Sequence, residues 1–123
     1  MKLDHVAINV RDLDQSLAFY VEWFEFDVIQ RWQEPRQAFI GKPTITIGLI
    51  ENTTYDFDVY TQAHIAFSVS KFEFDLWVKK VQDANLPVVS GPKPQRNGEA
   101  FLFRDPSGNI LEICYPELNT ESN

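Results

Sequence analysis

The chain has 123 residues, of which 44% are hydrophobic and 14% aromatic, and a formal net charge of -7. That length supports one domain with a substantial core and is too short for two independent ones, while the acidic balance opposes binding to nucleic acid or an anionic membrane, both of which need a surplus of Lys and Arg. Cys114 stands alone, which excludes an internal disulfide, and no apolar leader or long apolar run is present, so a reducing cytoplasm is the expected setting and a small molecule the expected partner.

His5-Val6-Ala7-Ile8-Asn9-Val10 alternates, with His5 and Ala7 on one side and Val6, Ile8 and Val10 on the other, which predicts a strand with one packed face. Asp12-Leu13-Asp14-Gln15 has the form of a capping box, and a helix starts there. Leu13, Leu17, Tyr20, Val21 and Phe24 form its apolar face, aimed at one side of a sheet. Phe26–Trp32, Gln37–Ile40 and Thr44–Ile50 are enriched in β-branched and aromatic residues and are separated by Pro35 and by Gly41-Lys42-Pro43, which predicts three strands. Glu51 to Gln62 carry charge and turn formers without periodicity and read as a connection between halves rather than a helix.

The order then begins again. In His64-Ile65-Ala66-Phe67-Ser68-Val69 the small or polar residues alternate with the apolar ones, so His64, like His5, leaves a small-residue face. Ser70-Lys71-Phe72-Glu73 is a second capping box, and Phe74, Trp77, Val78 and Val81 keep helical spacing up to a stop near Asn85, before Pro87. Val88–Ser90, Glu99–Arg104 and Asn109–Tyr115 supply three more strands, with Gly91-Pro92-Lys93-Pro94 and Asp105-Pro106-Ser107-Gly108 as turns and a frayed polar tail from Glu117. In Ile110-Leu111-Glu112-Ile113-Cys114 period two separates Glu112 from Leu111 and Ile113, so its carboxylate also leaves the packed face.

This is an internal repeat. His64 less His5 gives an offset of 59 that also pairs Leu13 with Phe72, and Glu112 less Gly48 gives 64 at the last strand, where longer loops intervene. The expected fold is α+β, two tandem β-α-β-β-β modules in one domain over 1–123: module one about 1–51, a linker about 52–62 and module two about 63–116. Gly48 then stands where the second module has Glu112.

Three segments carry a resemblance to the vicinal oxygen chelate superfamily, which includes glyoxalase I, fosfomycin resistance thiol transferases, methylmalonyl-CoA epimerases, extradiol dioxygenases and bleomycin resistance proteins. They are Leu3-Asp4-His5-Val6-Ala7 with Phe19-Tyr20 on the following helix, His64-Ile65-Ala66-Phe67-Ser68-Val69, and the run from Phe103-Arg104-Asp105-Pro106-Ser107-Gly108-Asn109 to Glu112. The resemblance implies a sheet curled around a cleft, with metal ligands at the positions of His5, His64 and Glu112 and a frequent fourth ligand where this chain has Gly48. It also implies a homodimer, and since modules from two protomers complete the cleft in many members, His5 can come either from the same chain as the other two ligands or from the opposite one. Two imidazoles and one carboxylate leave about three coordination positions open, which suits Fe(II), Mn(II), Ni(II) or Zn(II) with water and substrate.

The remaining candidates have simpler readings. Cys114 shares the face of Glu112 but reads as a small apolar filler. Arg31, Arg36, Lys93, Arg96 and Arg104 stand where a substrate anion could be held, although solvated loop charges account for most of them. Phe19, Tyr20, Trp23, Phe24, Phe72, Phe74 and Trp77 read as helix-face core residues. The expected function is a metal-dependent enzyme acting on a small oxygen-bearing substrate that chelates the cation, with lyase, thiol transferase and dioxygenase chemistry all open. The alternative is a non-enzymatic binder of the bleomycin-resistance type, which commonly lacks the ligand set retained here. Dioxygenases usually need a further His as proton relay; both histidines of this chain are spent as ligands, leaving Tyr60 and Tyr115 as substitutes.

Overall fold

The computed structural model describes residues 1–58 and 61–118. The elements run β1 (Val6–Val10), α1 (Leu13–Phe24), β2 (Asp27–Gln33), β3 (Arg36–Lys42), β4 (Ile45–Glu51), β5 (His64–Ser68), α2 (Lys71–Asp83), β6 (Val88–Gln95), β7 (Gly98–Arg104) and β8 (Ile110–Tyr115). The β-α-β-β-β order occurs twice, and each copy makes its own four-stranded mixed sheet, β1-β4-β3-β2 and β5-β8-β7-β6. Two compact units result, Met1–Val59 with Pro106–Asn109 and Tyr60–Asp105 with Ile110–Asn123. Most of the polar tail lies outside the described residues.

In the first unit the Asp12 carboxylate accepts from the Gln15 N–H and starts α1. Leu13, Leu17, Phe19 and Tyr20 are buried with Val10, Ala38, Ile40, Ile47 and Leu49 on one side of the sheet. Val21, expected on this face, is 43% exposed. It lies at the edge of the helical stripe, which here is narrower than spacing alone implies. The Pro106–Asn109 loop belongs to this unit: Ser107 Oγ accepts from the Arg11 N–H at 2.7 Å, and the Asn109 amide donates to the Asn9 carbonyl at 2.8 Å.

In the second unit the capping box of α2 is complete, with Ser70 and Glu73 each accepting from the other's N–H. Phe74 and Val81 are buried, as are Phe101, Phe103, Leu111 and Ile113 of the sheet. Phe72 departs from expectation, at 72% exposed, because helical period carries position 72 away from the face of Phe74 and Val81. Gly91-Pro92-Lys93-Pro94 is not a turn. It lies inside β6, where the register shifts between Ser90 and Lys93 absorb it, and β6 is an edge strand, which tolerates prolines that cannot donate. The hairpin turns instead at Arg96 and Asn97, both at positive φ (45° and 65°).

Register supports the repeat. Ala7 lies opposite Gly48 in the parallel β1–β4 pair, and Ala66 lies opposite Glu112 in the parallel β5–β8 pair. Gly48 and Glu112 are therefore structural equivalents.

Candidate metal centre

His64 opens β5 opposite Ile110, two residues from the pair Ala66 and Glu112, so the two polar side chains are diagonal neighbours on one face. His64 Nε2 lies 3.0 Å from Glu112 Oε1. The other ring nitrogen is held: Nδ1–H donates to the Gln62 carbonyl at 2.7 Å, which fixes the ring plane and directs Nε2 at the carboxylate. Glu112 is only 4% exposed. A buried carboxylate needs a charged or hydrogen-bonded partner, and this one has an imidazole nitrogen facing it across a small-residue strand. The pair fits a borderline divalent cation in donor type, charge and convergence.

His5 stands immediately before β1 in the first unit. Its Nδ1–H donates to the Asp4 carboxylate at 2.7 Å, and its ring meets Phe39 edge-on at 4.8 Å between centroids. A carboxylate behind Nδ1 orients a ligating histidine and fixes its tautomer, leaving Nε2 as the ligand atom. Among the described residues no three His, Cys, Asp or Glu side chains cluster as a metal site. The chain thus brings His64 and Glu112 together and holds His5 in its other unit.

Around His5 a cavity of about 100 Å³ is lined by Ala7, Trp32, Gln37, Phe39, Gly48 and Ile50. A Cβ on Gly48 would stand 3.1 Å from Phe39 Cε1 and 3.3 Å from the Ala7 Cβ. Phe39 therefore occupies the space above the position equivalent to Glu112.

The other candidates separate by face. Arg31 lies opposite Ala38 and Arg36 two residues before it, which puts both on the helix side of the sheet. There Arg31 pairs with Asp14 at 2.5 Å, and Arg36 pairs with Glu51 at 3.0 Å and Asp14 at 3.2 Å. Hydrogen bonds from Arg31 hold the Asp14 carboxyl below its ordinary range, and the Leu13 N–H followed by Arg36 does the same for Glu51. These arginines fasten α1 to the sheet and do not serve as an anion site. Tyr115 also lies on the helix side of its sheet, with its hydroxyl 2.5 Å from Glu99 and its ring edge-on to Phe74 at 5.1 Å, so it faces away from Glu112. Tyr60 lies outside the described residues. Cys114 is buried beside Glu112, and burial, then the charge of Glu112, push its thiol up; that is the filler role expected of it.

Sequence reasoning missed the partners of the histidines and the cavity walls. Asp4 was legible as the residue preceding His5. The Gln62 carbonyl was not, because a backbone acceptor has no sequence signature. Trp32 and Phe39 were legible as strand residues, but their shared face depends on the β2–β3 register.

Among the described residues, two helices and eight strands in twin mixed sheets, with a histidine and a carboxylate presented by parallel neighbours, define the paired-module class of fold to which glyoxalases belong. The sequence profile of the Glyoxalase/Bleomycin resistance protein/Dioxygenase superfamily matches residues 2–113, and the chain belongs to that superfamily. It is 23% identical over 112 residues to the metallothiol transferase FosB of Staphylococcus epidermidis, covering 90% of this chain and 79% of that protein. To the glutathione transferase FosA of Serratia marcescens it is 26% identical over 114 residues, covering 90% and 78%. A variant of the fosfomycin resistance protein FosX from Listeria monocytogenes, solved with Mn(II) and 1S,2S-dihydroxypropylphosphonic acid, has the same fold, with a TM-score of 0.80, 21% identity and coverage of 94% and 90%. No helix among the described residues is long and apolar enough to cross a membrane.

Proposed function

We propose that the protein is a metal-dependent enzyme that binds one divalent cation through His64 and Glu112 of one subunit and His5 of the partner subunit, and acts on a small substrate whose neighbouring oxygens complete the coordination. The observation that carries this reading is the pairing of His64 Nε2 with the buried Glu112 carboxylate at 3.0 Å, with Nδ1 already anchored. Fe(II), Mn(II), Ni(II) and Zn(II) all suit such donors; the FosX relative with Mn(II) favours manganese. A bound dication, offset by one carboxylate, would supply a net positive centre that stabilises an oxygen anion.

The chain's own residues do the rest. Gln62 and Asp4 orient the two imidazoles, and Glu112 contributes one negative charge from a dry position. Ala7 and Ala66 keep side chains small beside the donors, and Phe39 and Trp32 form an aromatic wall beside His5. Among lyase, transferase and dioxygenase chemistry, addition of a thiol to an electrophilic carbon is favoured, since two relatives are named as thiol or glutathione transferases. Dioxygenase chemistry is disfavoured, because the face of Glu112 carries neither a third histidine nor Tyr115. A homodimer in the cytoplasm, where thiol co-substrates are plentiful, completes the reading.

Metal analysis of protein purified without chelator tests it. We expect about one equivalent of divalent metal per chain, and a drop of at least about tenfold in affinity for His64→Ala, with the circular dichroism of the fold retained. Undiminished metal in a His5→Ala, His64→Ala, Glu112→Ala triple variant would refute the ligand set.

A further inference from the structure

The His5 face of the first sheet is built for an uncharged group. Register places Ala7, Gly48 and Phe39 side by side across β1, β4 and β3, and Gln37 opposite Trp32 across β3 and β2. Phe39 stands edge-on to His5, and Trp32 stands edge-on to Phe39 at 5.6 Å between centroids, so two aromatic walls run outward from the proposed ligand. Among the described residues, no Lys or Arg lines the cavity they bound. The arginines of these strands, Arg31 and Arg36, are on the opposite face, tied to Asp14 and Glu51. A dianion seated here would lose its hydration with no Lys or Arg to replace it. An apolar group loses nothing comparable and gains contact with two ring faces and edges.

We infer that this cavity receives the apolar end of the substrate, an aromatic ring or branched alkyl group, while vicinal oxygens at the other end meet the metal. The size agrees: an apolar cavity of about 150 Å³ holds a benzene, so about 100 Å³ with an open mouth takes a branched alkyl group or a ring entering edge first. The Gln37 amide in the lining offers one neutral hydrogen bond. Gly48 is part of the device, since a side chain there would press on Phe39 and shrink the space. The substrate class that follows is a monoanionic or neutral hydroxy-carbonyl compound with an apolar substituent, in place of a short dianionic phosphonate. This inference rests on the metal-dependent reading for the chelating end only.

Two measurements test it. Calorimetry on Mn(II)-loaded protein compares lactate with mandelate, which share an α-hydroxy acid head and differ by methyl against phenyl. Mandelate is expected to bind at least about tenfold tighter, and Trp32→Ala or Phe39→Leu to bring the ratio close to one. In metal-free protein, benzyl alcohol is expected to shift the Trp32 indole N–H resonance, assigned by its loss in Trp32→Phe. Equal affinity for lactate and mandelate at full metal occupancy, or tighter binding of methylphosphonate than of mandelate, overturns the inference, and so does a Trp32 resonance that benzyl alcohol leaves unmoved. Failure of the metal-dependent reading shows separately, as metal content, and leaves the benzyl alcohol result to decide the cavity.

Discussion

Gly48 and Glu112 occupy equivalent places in twin modules, and the difference between them is a difference of neighbours as much as of side chain. Glu112 has Ala66 opposite on the parallel strand and Leu102 on the antiparallel one, and His64 diagonal to it. Gly48 has Ala7 opposite on one side and Phe39 on the other, and the ring of Phe39 fills what a carboxylate would need. The sequence alone aligned these positions through the repeat, but Phe39 as the reason for the glycine required the register. Substituting Gly48→Ala sets two effects against each other. Overpacking costs about 1–3 kcal/mol at worst, less where a ring edge can yield by a few tenths of an ångström, and the loss of glycine's unfolded-state freedom returns about 0.4–1 kcal/mol. Net stability is therefore expected to change by no more than about 1 kcal/mol in urea denaturation. Metal content is expected to stay at the wild-type level while mandelate affinity falls several-fold, since the displaced ring narrows the cavity and removes no donor.

Among the elements, those with one strongly periodic face were legible. The strand that follows His5, the strands carrying His64 and Glu112 and both helix starts follow from alternation and capping residues, which are local properties. The misplacements have a common origin. Phe72 and Val21 are apolar, yet they sit at the margins of their helical stripes, and β6 keeps pairing through Gly91 and two prolines because it needs hydrogen bonds on one side only. Spacing tells which residues share a face, and only the packed structure tells how wide a face is covered. The ion network between α1 and the first sheet was likewise invisible, since Asp14, Arg31, Arg36 and Glu51 converge from four elements. Its consequence is measurable through pH. Glu51 is held below its ordinary value of 4.5 in the folded state, first by the Leu13 N–H and then by Arg36. A depressed folded-state pKa contributes stability that is present above the unfolded value and lost as pH falls through the folded value. Glu51→Gln is therefore expected to be less stable than wild type near neutral pH, with the gap narrowing below about pH 4 in urea midpoints. A gap that stays constant with pH would show that the charge of Glu51 is immaterial.

At the scale of the whole molecule, the duplication that makes the fold also divides the proposed ligands. One unit carries His5 with its Asp4 support and the aromatic cavity; the other carries His64 and Glu112. A closed two-fold assembly gives both subunits the same interface, and in the arrangement proposed here each of two sites takes His5 from one chain and the remaining pair from the other. Complementation distinguishes this from a site made within one chain. Take His5→Ala and Glu112→Ala proteins, each expected to bind metal poorly alone, and co-express them at equal levels. In the shared arrangement a heterodimer has one site missing both ligands and one with all three, because the Glu112→Ala chain supplies His5 and the His5→Ala chain supplies His64 and Glu112. Random pairing makes half the dimers mixed, so about a quarter of wild-type metal is expected to return. If each site were made within one chain, every site in the mixture would lack a ligand and none would return. A molecule that sediments as a monomer at micromolar concentration, or a mixture that holds no more metal than its parents, would end the shared-site proposal while leaving the pairing of His64 with Glu112 intact.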